Sequence, residues 1–439
     1  MVQLIRATNL DSHLSLSSEE LHRFALPDGF YFLVSDEMEI IEPAFFFLDD
    51  KCLKSASVSS VGNSQRSYTE DLYEWWSFLE EKDIRWNDVT EDEIIAYRDG
   101  MLISYSPHTS RRYKTSTIKR RIGTICQFYE WAFKEGLIAE PIVEKSLKYI
   151  PRSLDTNILA HLSVNHGVTQ VNPLLPKGQN QNVVNAFTDL KALNQVMNVL
   201  GPMPDAVVSG TDSRSTRNRL IAEVSRCCGA RIDEVISLTW YQILGLRPSH
   251  EDPSRPLKLR ITKTKGLIAR DILIPPFLVR ALHWYYDNER AEVLRQAKVR
   301  GKFQKGRSEP AELFLNGIYA NARDKGNPVH RNTIERCFNQ AVREAGLTRK
   351  EAHMNFETSE IEFRDVPAHK FHDLRHTFAL VIYYIERANG NPEPWKQIQS
   401  LLGHKHLSTT INIYLRSVNV DEAAISNATI TFYQILHYA

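Results

Sequence analysis

Residues 372–379 read HDLRHTFA, and residues 401–416 read LLGHKHLSTTINIYLR. The two stretches bring an arginine, a tyrosine and several histidines into the last fifth of a 439-residue chain. That set suits cutting a phosphodiester without a metal. The first stretch reads as a helix, on which His372 and Arg375 stand at i and i+3 and project from one face. Arg375 presents a planar fork that matches two phosphate oxygens and stays charged at any working pH. In the second stretch Gly403 ends one helix, and Ser408 or Thr409 caps the next, which carries Tyr414. A tyrosine so placed forms a covalent intermediate when neighbouring groups activate it.

Moving toward the N-terminus, CGARIDEVISLTW places Arg231 at a helix start after Gly229, with Glu234 one turn later. Arg231 reads as a phosphate clamp supported by Glu234; the ordinary alternative is a surface ion pair. The strand LKLRI runs into the turn TKTKG, where Lys263 reaches a leaving oxygen and donates its proton, with Lys265 the competitor two positions on. His372 suits handling a nucleophile's proton or hydrogen-bonding a phosphate. His404, exposed by the short turn at Gly403, suits a bound phosphate. The same histidines allow a different reading, because His372 and His376 are spaced i, i+4 as zinc ligands are. The glutamate of a metalloprotease motif is absent, since Asp373 holds that slot, and no metal is expected.

The formal net charge of +1 averages unlike regions. Residues 1–55 carry ten acidic and four basic residues, so the remainder is net basic. Five scattered cysteines (Cys52, Cys126, Cys227, Cys228, Cys337) exclude a disulfide scaffold and make a thiolate zinc site a poor fit. The longest apolar runs, such as EPAFFFL, are far shorter than a membrane span, and no leader pattern is present. A soluble, cytoplasmic protein is expected.

The periodicity divides the chain into an N-terminal extension (1–58), a small helical domain (59–150), a linker (151–185), a large domain (186–420) and a C-terminal tail (421–439). In the extension, FYFLVS and EPAFFFL read as short strands, an appendage packing on a neighbour or another subunit. In the helical domain one helix places Leu72, Trp75, Trp76 and Leu79 on one face, and a second is capped near Thr90. A third buries Ile118, Ile122, Ile125, Phe128 and Trp131 and ends at Gly136. The large domain reads as helices around one strand pair, LKLRITKTK and ARDILIP, with a poorly patterned stretch near 345–367. The expected fold class is mainly α with a small antiparallel β-sheet in the second domain.

The segment SRRYKTSTIKRR gathers Arg111, Arg112, Lys114, Lys119, Arg120 and Arg121 at the start of the third helix. With the apolar stripe buried, the cations are expected on the free face, where they neutralise several phosphates and make affinity steeply salt-dependent. Such contacts position a protein on DNA and read no bases. A solvated charged face is the plain alternative.

In order, GARIDEVISLTW, TKTKG after a strand, HDLRHTFA and LLGHKHLSTTINIY resemble the tyrosine recombinases, or phage integrase family. The helical domain with its run RRIGTICQFYEWAFKEGLI is similar to that family's core-binding domain. The resemblance spans roughly residues 60–418. It implies a catalytic set of Arg231, Lys263, His372, Arg375 and His404, with Tyr414 as nucleophile forming a 3′-phosphotyrosine. It implies no metal, ATP or other cofactor. It further implies double-stranded DNA held in a two-domain clamp, four protomers on paired sites, and a tail that docks in trans through Ile425, Ile430, Phe432, Ile435 and Leu436. The extra length looks like an integrase or transposase of a mobile element. A directionality partner is not specified. The alternatives are a type IB topoisomerase-like enzyme and a non-catalytic DNA-binding protein.

Overall fold

The computed structural model describes residues 1–7, 26–54, 62–143, 146–150, 167–176, 184–262, 269–303, 308–404, 407–408, 410–411 and 413–414. The chain forms two compact units, one of residues 1–181 with 352–362, the other of 182–351 with 363–439.

In the first unit, β1 (Gln3–Arg6) pairs antiparallel with β2 (Tyr31–Val34), Gln3 facing Val34. Helix α1 (Glu42–Asp49) follows, then α2 (Asn63–Lys82), α3 (Glu91–Ile103) and α4 (Thr115–Lys134). The expected stripes are largely in place: Leu72, Trp75, Trp76 and Leu79 are buried, as are Ile118, Ile122, Ile125 and Phe128, while Trp131 is half-buried. Thr90 and Glu93 form a reciprocal capping box at the start of α3.

One expectation fails here. EPAFFFL is a helix, not a strand. Pro43 sits in its first turn, where a missing N–H costs nothing, and Ala44, Phe47 and Leu48 recur at i, i+3 and i+4 on the buried face. Phe30, Leu33, Phe47 and Leu48 share one core with the Trp75 and Phe128 stripes. The described part of the extension is therefore built into the helical unit. Gln65 fixes this junction, its amide exchanging hydrogen bonds with the Tyr31 main chain (Tyr31 N to Oε1 3.1 Å, Nε2 to Tyr31 O 2.5 Å). Part of the expected linker is also ordered: β3 (Ser146–Ile150) pairs antiparallel with β4 (Gly167–Val171), and Leu174 enters the helical core.

In the second unit, α5 (Leu190–Leu200) and α6 (Pro204–Val208) precede α7 (Arg217–Cys228), α8 (Ile232–Ile236) and α9 (Trp240–Leu244). The antiparallel pair β5 (Leu257–Ile261) and β6 (Arg270–Ile274) follows, with Leu259, Ile261, Ile272 and Ile274 pointing inward. Next come α10 (Pro276–Tyr285), α11 (Ala291–Val299), α12 (Arg331–Glu344), α13 (Asp373–Ala388) and α14 (Pro394–Leu402). Between α12 and α13 runs the hairpin β7 (Thr348–Asn355) and β8 (Glu360–Pro367), whose distal residues 352–362 belong to the first unit. The stretch that lacked pattern is thus a hairpin. Its strands are largely exposed, so no buried face imposes a period of two on the sequence.

Helix α7 is central, burying Leu220, Ile221, Ala222, Val224 and Cys228, with α5, α8, α10, α13 and β6 packed around it. Gly229 ends it at φ +63°, and a Cβ there would meet the Phe378 ring at 2.5 Å and Leu402 at 2.9 Å. Gly229→Ala should therefore destabilise the protein by ~2 kcal/mol or more, combining left-handed strain (roughly 1–2) with overpacking (roughly 1–3). Thermal unfolding of the variant checks this, and an unchanged midpoint would show that the turn relaxes freely.

Candidate active site

Five segments of the second unit meet around Arg375. This side chain, on the first turn of α13, is only 1% exposed. Its Nη1 donates to the carbonyl of Gly229, and its Nη2 donates to the carbonyl of Leu402 (2.7 Å) and to His404 Nε2 (3.3 Å). Both carbonyls lie at the ends of helices, α7 and α14, where oxygens lack intrahelical partners. Burial and the cations of Arg231 and Arg270 press the Arg375 guanidinium down to about 9, which leaves it charged at neutral pH. Among the described residues, its hydrogen bonds use three of its five N–H groups.

Arg231 is the residue before the first turn of α8. Glu234, three residues on and 2% exposed, accepts from the Arg231 main-chain N–H (2.8 Å) and from Arg231 Nη1 (2.9 Å). The same carboxylate accepts from Arg270 Nη2 (2.7 Å), while Arg270 Nη1 donates to the Leu401 carbonyl (2.6 Å). Burial alone would raise the Glu234 carboxyl, but Arg270, the Arg231 amide and the Arg231 guanidinium hold it below the usual carboxylate range. One buried anion thus orients two arginines.

His404 follows Gly403, whose φ is +65° and where an added Cβ would collide with the Arg270 side chain. Arginine only donates, so His404 Nε2 accepts from Arg375, and Nδ1 carries the proton toward Thr410 Oγ1 (2.8 Å). Burial, then Arg375, Arg231 and Arg270, push His404 down to about 4. His372 is also lowered, by burial, Arg375 and Arg231. Tyr414 is 1% exposed, its hydroxyl 3.0 Å from His376 Nδ1. Burial pushes the phenol up to about 12 against the pull of Arg375 and Arg231.

Of the residues expected from the sequence, Arg231, Glu234, His372, Arg375, His404 and Tyr414 are brought together. Lys263 and Lys265 lie outside the described residues, as do Ile425, Ile430, Phe432, Ile435 and Leu436 of the tail. Two contributors were not singled out from sequence, Arg270 and the contact of His376 with Tyr414. Arg270 opens the second strand of the expected pair, so only its register against β5 reveals which way it faces. Asp373 is committed to structure: its Oδ2 accepts from Asn185 Nδ2 (2.8 Å) and the Lys370 main-chain N–H (2.9 Å). Among the described residues no group of three or more His, Cys, Asp or Glu is arranged to hold a metal ion.

The basic cluster on α4 is not the uniform face that the sequence suggested. Arg112, Lys114 and Arg120 are exposed, and Arg111 and Lys119 are half-buried. Arg121 departs from the expectation: it is buried, 3.2 Å from Glu74 and stacked 5.1 Å over the Tyr113 ring. Its position one residue from the buried Ile122 turns it toward α2 and α3, where it serves the fold. Arg120 Nη1 donates to the buried Asp71 (2.6 Å), so acids on α2 balance part of the cluster. Burial raises the Asp71 carboxyl to about 6, against Arg120, Thr124 and Arg121.

Residues 188–419 match the phage integrase family, and residues 53–136 match the phage integrase N-terminal SAM-like domain. The chain belongs to the phage integrase family, the tyrosine-type site-specific recombinases. Tyrosine recombinase XerC of Halalkalibacterium halodurans is 22% identical over 309 residues, covering 68% of this chain and 71% of that one. Tyrosine recombinase XerC of a Roseiflexus species is 22% identical over 352 residues, covering 80% and 82%. Among solved structures, the XerH recombinase in a post-cleavage complex with a palindromic difH substrate aligns over 89% of this chain and 90% of that one, at 14% identity and a TM-score of 0.49.

Two histidines of the site, His376 and His404, sit near 4 in the fold against 6.5 when free. The unfolded chain therefore binds more protons in that interval. Their contribution to stability should be full above pH 6.5 and fall as pH drops toward 4. Melting temperatures across that range should decline on acidification, and more shallowly for the double variant His376→Asn with His404→Asn. An identical slope would show that the histidines are not held neutral.

Proposed function

We propose that the protein breaks and rejoins DNA strands through a covalent tyrosyl phosphate, with Tyr414 as nucleophile. The observation that carries this reading is the convergence of Tyr414 and His404 on the paired cations Arg231 and Arg375. Phosphoryl transfer needs little covalent help but much stabilisation of charge on the non-bridging oxygens. Arg231 and Arg375 supply it, fixed in advance by Glu234 and by the carbonyls of Gly229 and Leu402. His404, neutral and held between Arg375 and Thr410, adds a group beside the same oxygens. The Oη–P bond forms as the P–O5′ bond breaks, and a lysine of the 263–265 turn protonates the leaving 5′ oxygen. The partner strand's 5′-hydroxyl then reverses the step, so the phosphoester energy is retained and neither metal nor ATP is consumed.

Double-stranded DNA is the partner, held by both units as a clamp, with four protomers on two sites and with integration or excision of a mobile element as the outcome. The exposed Arg112, Lys114 and Arg120 suit phosphate contacts. Replacing Arg112 and Lys114 with Glu should weaken DNA binding and reduce the slope of log K against log salt by ~0.9 for each phosphate that is no longer neutralised. An unchanged slope would mean that these cations are only solvated. Arg121→Leu, in contrast, should lower the melting temperature.

Covalent trapping on a nicked suicide substrate, with chelator present, tests the chemistry. Wild type should form a denaturation-resistant protein–DNA adduct, and Tyr414→Phe should bind the DNA without forming it. An adduct that survives Tyr414→Phe would refute the nucleophile, and one lost on chelation would refute the metal-free reading. Relaxation of supercoils without paired sites would move the protein to topoisomerase chemistry.

A further inference from the structure

A tyrosine that attacks phosphorus must lose its proton, and the arginines that favour phenolate cannot take one up. The group that touches the Tyr414 hydroxyl is His376, whose Nδ1 lies 3.0 Å from Oη. Its ring is set across the tyrosine ring at 68°, with the centroids 5.6 Å apart. His372, the histidine one turn earlier, lies edge-on to His376, centroids 4.7 Å apart, and makes no described hydrogen bond to Tyr414.

We infer that His376 is the proton acceptor for Tyr414, taking the hydroxyl proton on Nδ1 as Oη attacks the scissile phosphorus. This rests on Tyr414 as the nucleophile. The groups facing His376 are His372, Asp373 and Arg375 on its own helix, and His404 and Tyr414 from the chain beyond Gly403; the charge of Arg231 acts on His372, His404 and Tyr414. Burial, with His372 next, pushes His376 down to about 4, so its imidazole is neutral and Nδ1 has a free lone pair in the Nε2–H tautomer. Tyr414, pushed up to about 12, keeps its proton until the attack begins. As the Oη–P bond forms the phenol acidifies, and the anionic phosphate favours a protonated His376. The proton moves from Oη to Nδ1 while the P–O5′ bond breaks and the 263–265 lysine protonates O5′. On rejoining, His376 returns the proton to Oη.

The test is single-turnover adduct formation on the nicked suicide substrate across a pH series, with DNA affinity and melting temperature measured in parallel. His376→Ala should slow adduct formation ~100-fold or more near neutral pH without weakening DNA binding. Its rate should climb with pH, as hydroxide replaces the missing base, while the wild-type rate stays nearly flat. Added imidazole should restore part of the rate. His376→Asn, which keeps a hydrogen-bonding group near Oη but cannot take up a proton, should remain slow. If His376→Asn reacts at the wild-type rate, or if the His376→Ala profile runs parallel to wild type, the contact only positions the tyrosine and the inference fails. Should His376→Ala fold poorly, His376→Asn and His376→Gln carry the same comparison. An adduct missing in wild type, or surviving Tyr414→Phe, would instead overturn the nucleophile assignment, whereas a Tyr414-dependent adduct indifferent to His376 overturns only this inference.

Discussion

The second unit is organised around one buried cation. A guanidinium taken out of water costs several kcal/mol unless its donors are satisfied. Arg375 meets that demand with the carbonyls of Gly229 and Leu402, the last oxygens of two helices that would otherwise lack partners. The charge thus draws α7, α13 and α14 to a common point. Each partner helix must end abruptly for its carbonyl to face inward, and in each a left-handed glycine makes the turn, Gly229 and Gly403. The residues emerging from those turns are Arg231 and His404. The same backbone geometry that stabilises the buried arginine therefore sets the rest of the site.

The electrostatics follow from the imbalance. Arg231 and Arg270 share one buried carboxylate, Glu234, while Arg375 is held by the carbonyls of Gly229 and Leu402 and by His404. The surplus positive charge disfavours protonation of the histidines and favours any anion that enters. Because the donors are already fixed by the fold, such a site needs little reorganisation when charge develops on a phosphate. Tyr414 lies within this field, buried, with its hydroxyl on His376.

In the first unit the same principle appears in a structural role. Asp71 and Glu74 of α2 pair with Arg120 and Arg121 of α4, of which Arg121 is buried, while Arg120, Arg112 and Lys114 remain exposed. Helix α1 and strand β2 complete the apolar core, so the acidic N-terminal residues that are described belong to the same folded unit as the basic helix.

The sequence by itself determined most helices of both units and the strand pair β5–β6, and it singled out Arg231, Glu234, His372, Arg375, His404 and Tyr414, which the fold brings together. Those rest on local rules: apolar residues at helical spacing, caps at Thr90 and Gly136, glycines at helix ends, and reactive side chains in a fixed order. It misjudged EPAFFFL, because a short apolar run fits either a buried strand or a buried helix until its packing partner is known. It missed the hairpin at 348–367, whose exposed strands leave no alternation to read. Tertiary structure alone decided that Arg270 shares Glu234, that Arg121 turns into the core, and that the second histidine of HDLRH, not the first, meets the tyrosine. Each of these depends on segments far apart in the chain approaching within a hydrogen bond, and no periodicity within one element encodes the direction from which its partner arrives.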